Sequence, residues 1–452
     1  MIPNIGVLKS GMIFTALALA LTACESVSDS VNSLNPFAEE EKTLSGTRES
    51  VFTGNQVLSE EYKAKGSVII GGASGNGNWP QGAGNAANNP GNVSVGGTNR
   101  AWAVSLGQSG GGRWLGGGDL RVAARPVIYQ GRVFTYEHNG SVSGLSLSGG
   151  GRAWTTSLQP EKEKGAGAGG GVAADNGRIF AATGYGELAA LDAGSGKVLW
   201  RKELLAPARG APAASNGKVF VVTQNNEVFA VDQAEGTELW SFAGIPESAG
   251  LLSEANPAVS GDTVVVPFTS GEVMAISIKS GEPKWVDAVT KPFRTLAVSG
   301  ISDVAASPVI NNGAVIATGV AGRTIAVSLN TGERLWERDL GGVHTPTVSG
   351  NAVFMIDLDD RLVALDRKTG KTFWVSQLPI VKTKKKRTNW AGPLLGNGRL
   401  YAISSEGSLA QIDPITGKIQ SQTNPTKKAF VAPIAANGYM ILVDPGGLTA
   451  LR

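Results

Sequence analysis

Cysteine and histidine are almost absent from this sequence. Cys24 is the only cysteine among 452 residues, and His138 and His344 are the only histidines. An intramolecular disulfide needs two cysteines, and structural zinc sites are built mostly from cysteine and histidine side chains. The sequence therefore excludes a disulfide within the chain, and no metal or other cofactor is expected.

Charge is also sparse. Charged residues make up 17% of the chain, and the formal net charge is +3. Nucleic-acid-binding domains concentrate positive charge on one surface, so no nucleic-acid partner is expected. The chain is instead rich in glycine, with 62 residues, and 42% of it is hydrophobic. This combination indicates a packed core made of many short strands joined by tight turns.

Long apolar runs are missing apart from one short run near the N-terminus. Lys9 precedes an apolar stretch over residues 12–20. That stretch is too short to cross a bilayer, which takes about 20 apolar residues, but its length is typical of a signal peptide. The following Leu-Thr-Ala-Cys, ending at Cys24, resembles the bacterial lipobox. We interpret residues 1–23 as a lipoprotein signal peptide and Cys24 as the lipidated residue. The alternative is an ordinary secretory signal with an incidental cysteine.

The residues after Cys24 have the composition of a linker. Glu25 follows the cysteine in place of the aspartate that retains lipoproteins at the inner membrane, which favours the outer membrane. Residues 24–99 are rich in Ser, Asn, Gly and acidic side chains, as in GGASGNGNWPQGAGNAANNPG at 71–91. Such a segment has too little apolar surface to fold alone. We predict a lipid-anchored flexible tether with short ordered pieces near residues 67–70 and Trp79.

A repeat of about 40 residues fills the rest of the chain. Its clearest mark is a glycine followed four residues later by tryptophan, and these tryptophans recur 38 to 51 residues apart. A seventh unit has Ser421 in the tryptophan position, and an eighth stops at Arg452. The repeat tryptophans are Trp154, Trp200, Trp240, Trp285, Trp336 and Trp374.

Within each unit the pattern is that of β-strands. Runs such as KVFVVT (218–223) and EVFAVD (227–232) are β-branched and aromatic, and Asn-Gly pairs mark tight hairpins. Each unit therefore reads as a four-stranded antiparallel meander, and stacked units bury each other's faces. We predict that residues 100–452 form an all-β, eight-bladed β-propeller.

The last repeat lacks its fourth strand, whereas RAWAVSLG at 100–107 is a strand without a unit. It contains Trp102, which matches the tryptophan that ends the other units. We expect this N-terminal strand to complete the last blade and close the ring, because closure removes an exposed sheet edge. The repeated tryptophans are expected to form a packing layer between blades and not a site for stacking ligands.

The sequence A-[LV]-D-x-x-x-G-x-x-x-W resembles the repeat of pyrroloquinoline-quinone proteins. Two groups share it: quinone-dependent alcohol dehydrogenases and the non-enzymatic BamB family of outer-membrane assembly lipoproteins. The similarity to BamB also includes the lipobox, WPQGAGN at 79–85 and ISDVAASPV at 301–309. The repeat occurs at Ala190 to Trp200, Ala230 to Trp240 and Ala364 to Trp374.

The resemblance implies a scaffold and not an enzyme. Quinone dehydrogenases carry a vicinal cysteine pair, an acidic calcium site and an aspartate base, and this chain has one cysteine. Its periodic aspartates are expected to stabilise turns. The expected function is a monomeric component of the β-barrel assembly machinery, anchored at the periplasmic face of the outer membrane and aiding the insertion of outer-membrane proteins. The alternatives are a generic periplasmic binding propeller and a quinone-dependent dehydrogenase.

In BamB proteins two neighbouring loops hold the periplasmic domains of the barrel-forming subunit, BamA. The matching loops here are SAGLLSEANP (248–257) and the segment around Ser302-Asp303-Val304-Ala305. The first lacks the family's arginine, and Ala305 replaces the second aspartate of the second. The resemblance implies that the partner-binding residues are Leu251, Leu252, Ser253, Glu254 and Asp303.

The anchor prediction is testable by one substitution. Cys24→Ala removes the only thiol that a lipid can modify. We expect the variant in the soluble periplasmic fraction, or retained with its signal uncut. Membrane fractionation with immunoblotting measures this, and a variant that still sediments with the outer membrane would contradict the lipidation of Cys24.

Overall fold

The structure is a computed structural model that describes residues 59–106, 124–247, 255–290, 303–383, 386–429 and 431–452. Apart from a 3-10 turn at Glu60–Tyr62, the regular elements of these ranges are β-strands. None of the described residues belongs to a helix long and apolar enough to cross a membrane.

The strands form eight four-stranded antiparallel sheets, which are the blades of a propeller, as predicted. We name the strands of a blade A to D from the centre of the ring outward. Blade 1 has β2 (Val127–Tyr129), β3 (Arg132–Tyr136), β4 (Ser141–Ser146) and β5 (Arg152–Ser157); blade 2 has β6 (Gly170–Asp175), β7 (Arg178–Thr183), β8 (Glu187–Asp192) and β9 (Val198–Glu203). Blade 3 has β10 (Ala213–Ser215), β11 (Lys218–Val222), β12 (Glu227–Asp232) and β13 (Glu238–Ala243); blade 4 has β14 (Ala258–Ser260), β15 (Thr263–Pro267), β16 (Glu272–Ser277) and β17 (Pro283–Ala288).

The second half of the ring repeats this plan, with one small hairpin added between blades 6 and 7. Blade 5 has β18 (Val309–Asn311), β19 (Ala314–Thr318), β20 (Thr324–Ser328) and β21 (Arg334–Arg338); blade 6 has β22 (Thr347–Ser349), β23 (Ala352–Ile356), β24 (Arg361–Asp366) and β25 (Thr372–Gln377). The hairpin is β26 (Lys382–Thr383) and β27 (Lys386–Arg387), and blade 7 has β28 (Trp390–Gly396), β29 (Arg399–Ser404), β30 (Leu409–Ile412) and β31 (Ile419–Thr423). Blade 8 has β32 (Ile434–Ala436), β33 (Tyr439–Asp444), β34 (Gly447–Leu451) and, as its D strand, β1 (Arg100–Ser105).

The ring is closed by its N-terminal strand. Strand β1 runs antiparallel to β34, with Trp102 opposite Ala450 and Ser105 opposite Gly447. The first strand of the ring therefore completes the last blade, which confirms the predicted closure. Pairing the two ends of the chain removes the free edge that an open blade would expose.

The meander gives the ring two different faces. In an antiparallel meander the A–B and C–D turns emerge on one face, whereas the B–C turns and the blade-to-blade connections emerge on the other. We call the first the turn face and the second the connection face. The two predicted partner loops are blade-to-blade connections, so both belong to the connection face.

Neighbouring blades are joined by a tryptophan on one and a glycine on the next. Trp240 of blade 3 lies against Gly281 in the C–D turn of blade 4, and its indole Nε1 donates a hydrogen bond to the carbonyl of Ile278 (3.1 Å). A Cβ on Gly281 would lie 2.8 Å from the indole, and its φ is +76°. Only glycine meets both requirements without strain.

The same contact recurs at seven blade junctions of the described chain. A Cβ at any of these glycines would lie 2.5–2.8 Å from a tryptophan atom, and each indole donates to a turn carbonyl at 2.7–3.2 Å. The recurring tryptophans thus form the predicted packing layer. The pairs are Trp102–Gly150, Trp154–Gly196, Trp200–Gly236, Trp240–Gly281, Trp285–Gly332, Trp336–Gly370 and Trp374–Gly417.

The periodic aspartates fold these C–D turns. The carboxylate Oδ1 of Asp232 accepts the backbone N–H groups of Ala234 (2.7 Å) and Glu235 (3.0 Å). Asp366 and Asp413 do the same two and three residues ahead, and Asp192 accepts the N–H of the residue three ahead. The predicted turn role is confirmed for these four aspartates, and each positions the glycine that receives the neighbouring indole.

The core lies between blades and not inside any one of them. Each cluster of buried apolar side chains draws on adjacent blades; one, for example, joins Phe134 and Val142 of blade 1 with Ile179 and Leu191 of blade 2. The junction after blade 7 is the exception to the indole contact, because Ser421 occupies the tryptophan position and β31 is exposed along its length. A single blade therefore has no stable core of its own.

Residues 59–99 are laid across the ring as a continuous segment. The carbonyl of Trp79 accepts the N–H of Ile128 in blade 1 (2.8 Å), and that of Ala87 accepts the N–H of Ile310 in blade 5 (2.9 Å). Through such bonds the segment reaches the innermost strand, or the turn that follows it, in all eight blades. The bonded pairs are Trp79–Ile128, Pro80–Ala174, Gln81–Ala214, Ala86–Val259, Ala87–Ile310, Ile69–Asn351, Val93–Leu395 and Asn76–Ala435.

The ordered part of the N-terminal segment is thus longer than the predicted pieces near residues 67–70 and Trp79. A segment of this composition has too little apolar surface to fold by itself. Here the ring supplies the partners, and the segment contributes backbone groups and amide side chains. Asn88, 1% exposed, donates through its side chain to the carbonyls of Asn256, Pro257 and Pro308.

The blade junction gives a testable stability prediction. Trp240→Ala removes a half-buried indole, its hydrogen bond to Ile278 and its 5.9 Å ring contact with Phe220. We expect a loss of about 3 kcal/mol in the free energy of unfolding, the lower end of the range for such truncations. Leu239→Ala, at the exposed neighbouring position, should cost less than about 0.5 kcal/mol. Denaturant unfolding measures both, and equal costs would contradict the packing role.

Candidate partner-binding site

The sequence-predicted site residues fall in different parts of the chain. Cys24 lies outside the described residues, and so do Leu251, Leu252, Ser253 and Glu254. Asp303 is described, as the first residue after the stretch 291–302. What the structure shows of the site is therefore the base from which the two loops rise.

The ends of the two loops lie side by side. The backbone N–H of Asn256, at the end of the connection between blades 3 and 4, donates to Ser307 Oγ at 3.0 Å. Ser307 ends the next connection, between blades 4 and 5. Both residues precede a proline that leads into an innermost strand, Pro257 before β14 and Pro308 before β18. The propeller thus brings the C-terminal ends of the two predicted loops together at one place on the connection face.

A buried ion pair stabilises the connection face beside these loop ends. The Arg209 guanidinium, on the connection between blades 2 and 3, pairs through Nη2 with Oδ1 of Asp303. Arg209 also donates through Nη1 to the carbonyl of Pro267 (2.8 Å) and through Nη2 to that of Val304 (2.8 Å). One side chain therefore ties the connection between blades 2 and 3 to the end of β15 in blade 4 and to the connection between blades 4 and 5.

Both partners of this pair are withdrawn from water. Asp303 is 0% exposed and Arg209 2% exposed. Burial lowers the pKa of Arg209, while the charge of Asp303 and their hydrogen bond act to raise it. A guanidinium remains charged in proteins in spite of such shifts. The pair therefore stays ionic, and removing either partner leaves a buried charge without its counterion.

The structure changes the expected role of Asp303. A contact residue should present its carboxylate to the partner, but the carboxylate of Asp303 faces Arg209. That Asp303 takes part in partner binding stays a prediction. Its contribution would be indirect, because it holds the base of the loop in place. Sequence reasoning missed Arg209 altogether. The available signal was an arginine in APARGAP, immediately before an innermost strand, where buried arginine needs an acidic partner.

Further polar residues extend this base across the mouth of the ring. Thr345 Oγ1 accepts the N–H of Ser307 (3.2 Å) and a hydrogen bond from Nη2 of Arg125 (3.0 Å). Burial, together with the charge of Arg125, lowers the pKa of the adjacent His344 to about 4. His344 is therefore neutral at neutral pH. Arg125, Thr345 and Ser307 are thus joined in one hydrogen-bonded network.

The described residues of the site provide fixed bases for the two loops. Among them, no group of three or more His, Cys, Asp or Glu side chains is close enough to hold a metal ion. What the arrangement provides is rigidity, because the loop bases are fixed by a buried charge pair and by backbone hydrogen bonds. Such a base presents its loops in one orientation, which lowers the entropy cost of binding a protein partner.

Comparison with known proteins agrees with this fold. A family model described as "Outer membrane protein assembly factor BamB" matches residues 138–376, more than half of the chain. The chain belongs to the BamB family. Family membership at this level of similarity suggests a role in outer membrane protein assembly.

Individual relatives are moderately similar. BamB of Escherichia coli (strain K12) is 28% identical over 352 residues, covering 77% of this chain and 86% of the relative. BamB of Xanthomonas campestris pv. campestris is 35% identical over 255 residues, covering 55% of this chain and 60% of the relative.

Two solved structures show the same fold. The crystal structure of BamB from Moraxella catarrhalis has a TM-score of 0.65 at 22% identity and covers 78% of this chain and 99% of that one. The quinohemoprotein alcohol dehydrogenase from Comamonas testosteroni also has a TM-score of 0.65, at 14% identity, covering 82% of this chain and 80% of that one. At these identities both likenesses bear on the fold alone.

The buried pair gives a second stability prediction. Arg209→Met or Asp303→Leu removes one member of the buried ion pair, and each should cost about 3–5 kcal/mol. The double variant removes both charges, so its cost should be well below the sum of the two. Denaturant unfolding of the four proteins measures the coupling. Additive costs would contradict a direct interaction between Arg209 and Asp303.

Proposed function

We propose that this protein is a non-enzymatic scaffold of the β-barrel assembly machinery that binds the periplasmic domains of BamA. In this proposal Cys24 carries the lipid that holds the protein at the periplasmic face of the outer membrane. The loops 248–257 and 291–308 form the contact, with Leu251 and Leu252 as apolar anchors beside Ser253 and Glu254. The match of residues 138–376 to the BamB family carries the proposal.

The loop bases support a contact at this place. Interfaces depend on a few anchoring side chains surrounded by less important contacts. Leu251 and Leu252 form an apolar pair on a connection that is otherwise expected to be polar. The hydrogen bond between Asn256 and Ser307 brings the second loop beside the first. A partner domain docked on one loop would therefore meet the other.

The quinone-dehydrogenase alternative has less support. The fold likeness to quinohemoprotein alcohol dehydrogenase carries no residue-level agreement at 14% identity. The vicinal cysteine pair of those enzymes has no counterpart in a chain with one cysteine. The periodic aspartates are engaged in turns, as Asp232 and Asp366 show. Mixing the apo-protein with quinone and calcium and assaying alcohol oxidation tests this alternative directly.

Titration of purified BamA periplasmic domains against the purified propeller tests the proposal. Leu251→Ala combined with Leu252→Ala should weaken binding by about 1–3 kcal/mol, because truncated anchors lose buried contact area. The melting temperature of the free propeller should not change. Leu199→Ala combined with Leu239→Ala is the matched control, since these leucines are exposed on the outer strands, far from the loops.

Three outcomes separate the possibilities. Weaker binding by the loop variant alone supports the site. Wild-type binding that neither variant changes contradicts the loop assignment while leaving the scaffold role in place. Absence of wild-type binding contradicts the scaffold role itself, and a generic binding propeller then becomes the better account. A pull-down from solubilised outer membrane would identify its partner.

A further inference from the structure

The blade-to-blade connections begin in a repeated way. The first residue after a D strand donates its backbone N–H to a carbonyl of the same blade's B–C turn, as Leu204 does to Gly186 (2.8 Å) and Gly244 to Asn226 (2.8 Å). Leu158, Val289 and Leu378 make the equivalent bond in blades 1, 4 and 6. In these five blades the following residue lies at the same point of the connection face, and its side chain is at least partly exposed.

In blades 2 and 3 this displayed side chain is large and apolar. Leu205 is 81% exposed and Ile245 is 56% exposed. The equivalent residues of blades 1, 4 and 6 are Gln159, Thr290 and Pro379. Among these five blades, blades 2 and 3 are the two that hold a large aliphatic side chain out to solvent at this point. An apolar pair in matching positions is a surface feature and not a scattered exposure.

Leu205 is held in an unfavourable backbone conformation. Its φ is +62°, in the left-handed region that a residue with a Cβ avoids. Its neighbours Leu204 and Ala206 are both buried, at 0% and 6% exposure, so the chain is pinned on either side. Glycine would satisfy this geometry without strain. The fold gains nothing from the exposed leucine side chain, which points to a use outside the fold.

These residues are continuous with the proposed partner loops. Ile245 lies on the same connection as Leu251 and Leu252, and its carbonyl accepts a hydrogen bond from the side chain of Asn226 (2.6 Å). Leu205 lies on the preceding connection, four residues before Arg209. The connections that follow blades 2 and 3 thus present Leu205 and Ile245 in sequence along one arc of the connection face.

A hollow of about 420 Å³ lies between the connection before blade 2, the B–C turn of that blade and Pro207, two residues after Leu205. Pro160, Ala166, Tyr185 and Pro207 contribute its apolar lining, and Lys162 and Glu163 also line it. Its shape is fixed because the hydroxyl of Tyr185 donates to the carbonyl of Gly165 at 2.8 Å. An exposed leucine next to a fixed hollow is the arrangement with which interfaces seat a partner's side chain.

We propose that Leu205 and Ile245 extend the partner surface beyond the predicted loops, so that an apolar segment of the bound domain lies across blades 2 and 3 and inserts a side chain into the hollow. This inference rests on the proposed function, because it assigns further contacts to the same partner. The occupant is the surface of the periplasmic domains that continues past the loop contact.

The strain at Leu205 makes a sharp test possible. Leu205→Gly removes the side chain, and glycine adopts the positive φ of this position without strain. The melting temperature should therefore equal or exceed that of the wild type. Affinity for the purified BamA periplasmic domains should fall about 5- to 30-fold, as expected for loss of an interface anchor. Stability and affinity should thus change in opposite directions, which no purely structural role predicts.

Two further variants complete the design. Ile245→Asn should also weaken binding about 5- to 30-fold. Leu199→Asn is the matched control, because it introduces the same polar side chain at an exposed leucine (44%) of an outer strand, and its affinity should stay within about twofold of the wild type. Calorimetric titration and thermal melting of the full-length proteins measure these effects.

The results distinguish this surface from the proposed function. If the wild type binds and Leu205→Gly and Ile245→Asn both retain its affinity, the extended surface is overturned and the loop contact remains. If Leu199→Asn weakens binding as much as the others, the effect is not specific to the arc, which also overturns it. If the wild type does not bind, the proposed function fails and this inference fails with it.

Discussion

The contact between an indole on one blade and a glycine on the next is the constraint on which the ring depends. A single four-stranded meander has no core of its own, because its buried side chains pack against the neighbouring blade. The indole fixes how closely adjacent blades approach, and the turn carbonyl that accepts its N–H fixes their orientation. Repetition of this geometry, with β1 completing blade 8, closes the ring. The repeat motif therefore contains three parts of this geometry. Its aspartate folds a C–D turn, its glycine receives the indole of the preceding blade, and its tryptophan contacts the next blade.

The N-terminal segment and the connection face serve different purposes. Residues 59–99 bond to every blade, so a single stretch of chain ties the ring together from blade 1 to blade 8. The connection face bears the features that a partner would meet: the loop bases at Asn256 and Ser307, the Arg209–Asp303 pair beneath them, and the exposed Leu205. The segment that follows the proposed lipid anchor is therefore used in building the ring, and the proposed binding surface rises from a rigid body.

The candidate site was only partly predictable. The position of the two loops followed from the repeat, because connections of consecutive blades must lie side by side in a propeller. The state of Asp303 did not follow, since its partner Arg209 is 94 residues away in sequence and on a different connection. Leu205 was equally hidden, because a leucine after a strand looks like the start of a loop. Its proposed role in binding is inferred from its positive φ and from the burial of its two neighbours, and neither can be read from the sequence.

The sequence alone determined the fold class, the number of blades and the way the ring closes. Those properties follow from local periodicity, from turn residues and from the spacing of a repeat. All three can be read from the sequence without knowing which distant residues are in contact. Only the tertiary structure decided the path of residues 59–99 and the burial of Asp303. Both depend on partners contributed by distant parts of the chain: the inner strands that receive the Asn- and Gly-rich segment, and the arginine that neutralises a buried carboxylate. Local composition does not identify such partners, because the hydrogen bonds and the ion pair that order these residues form only when the ring is assembled.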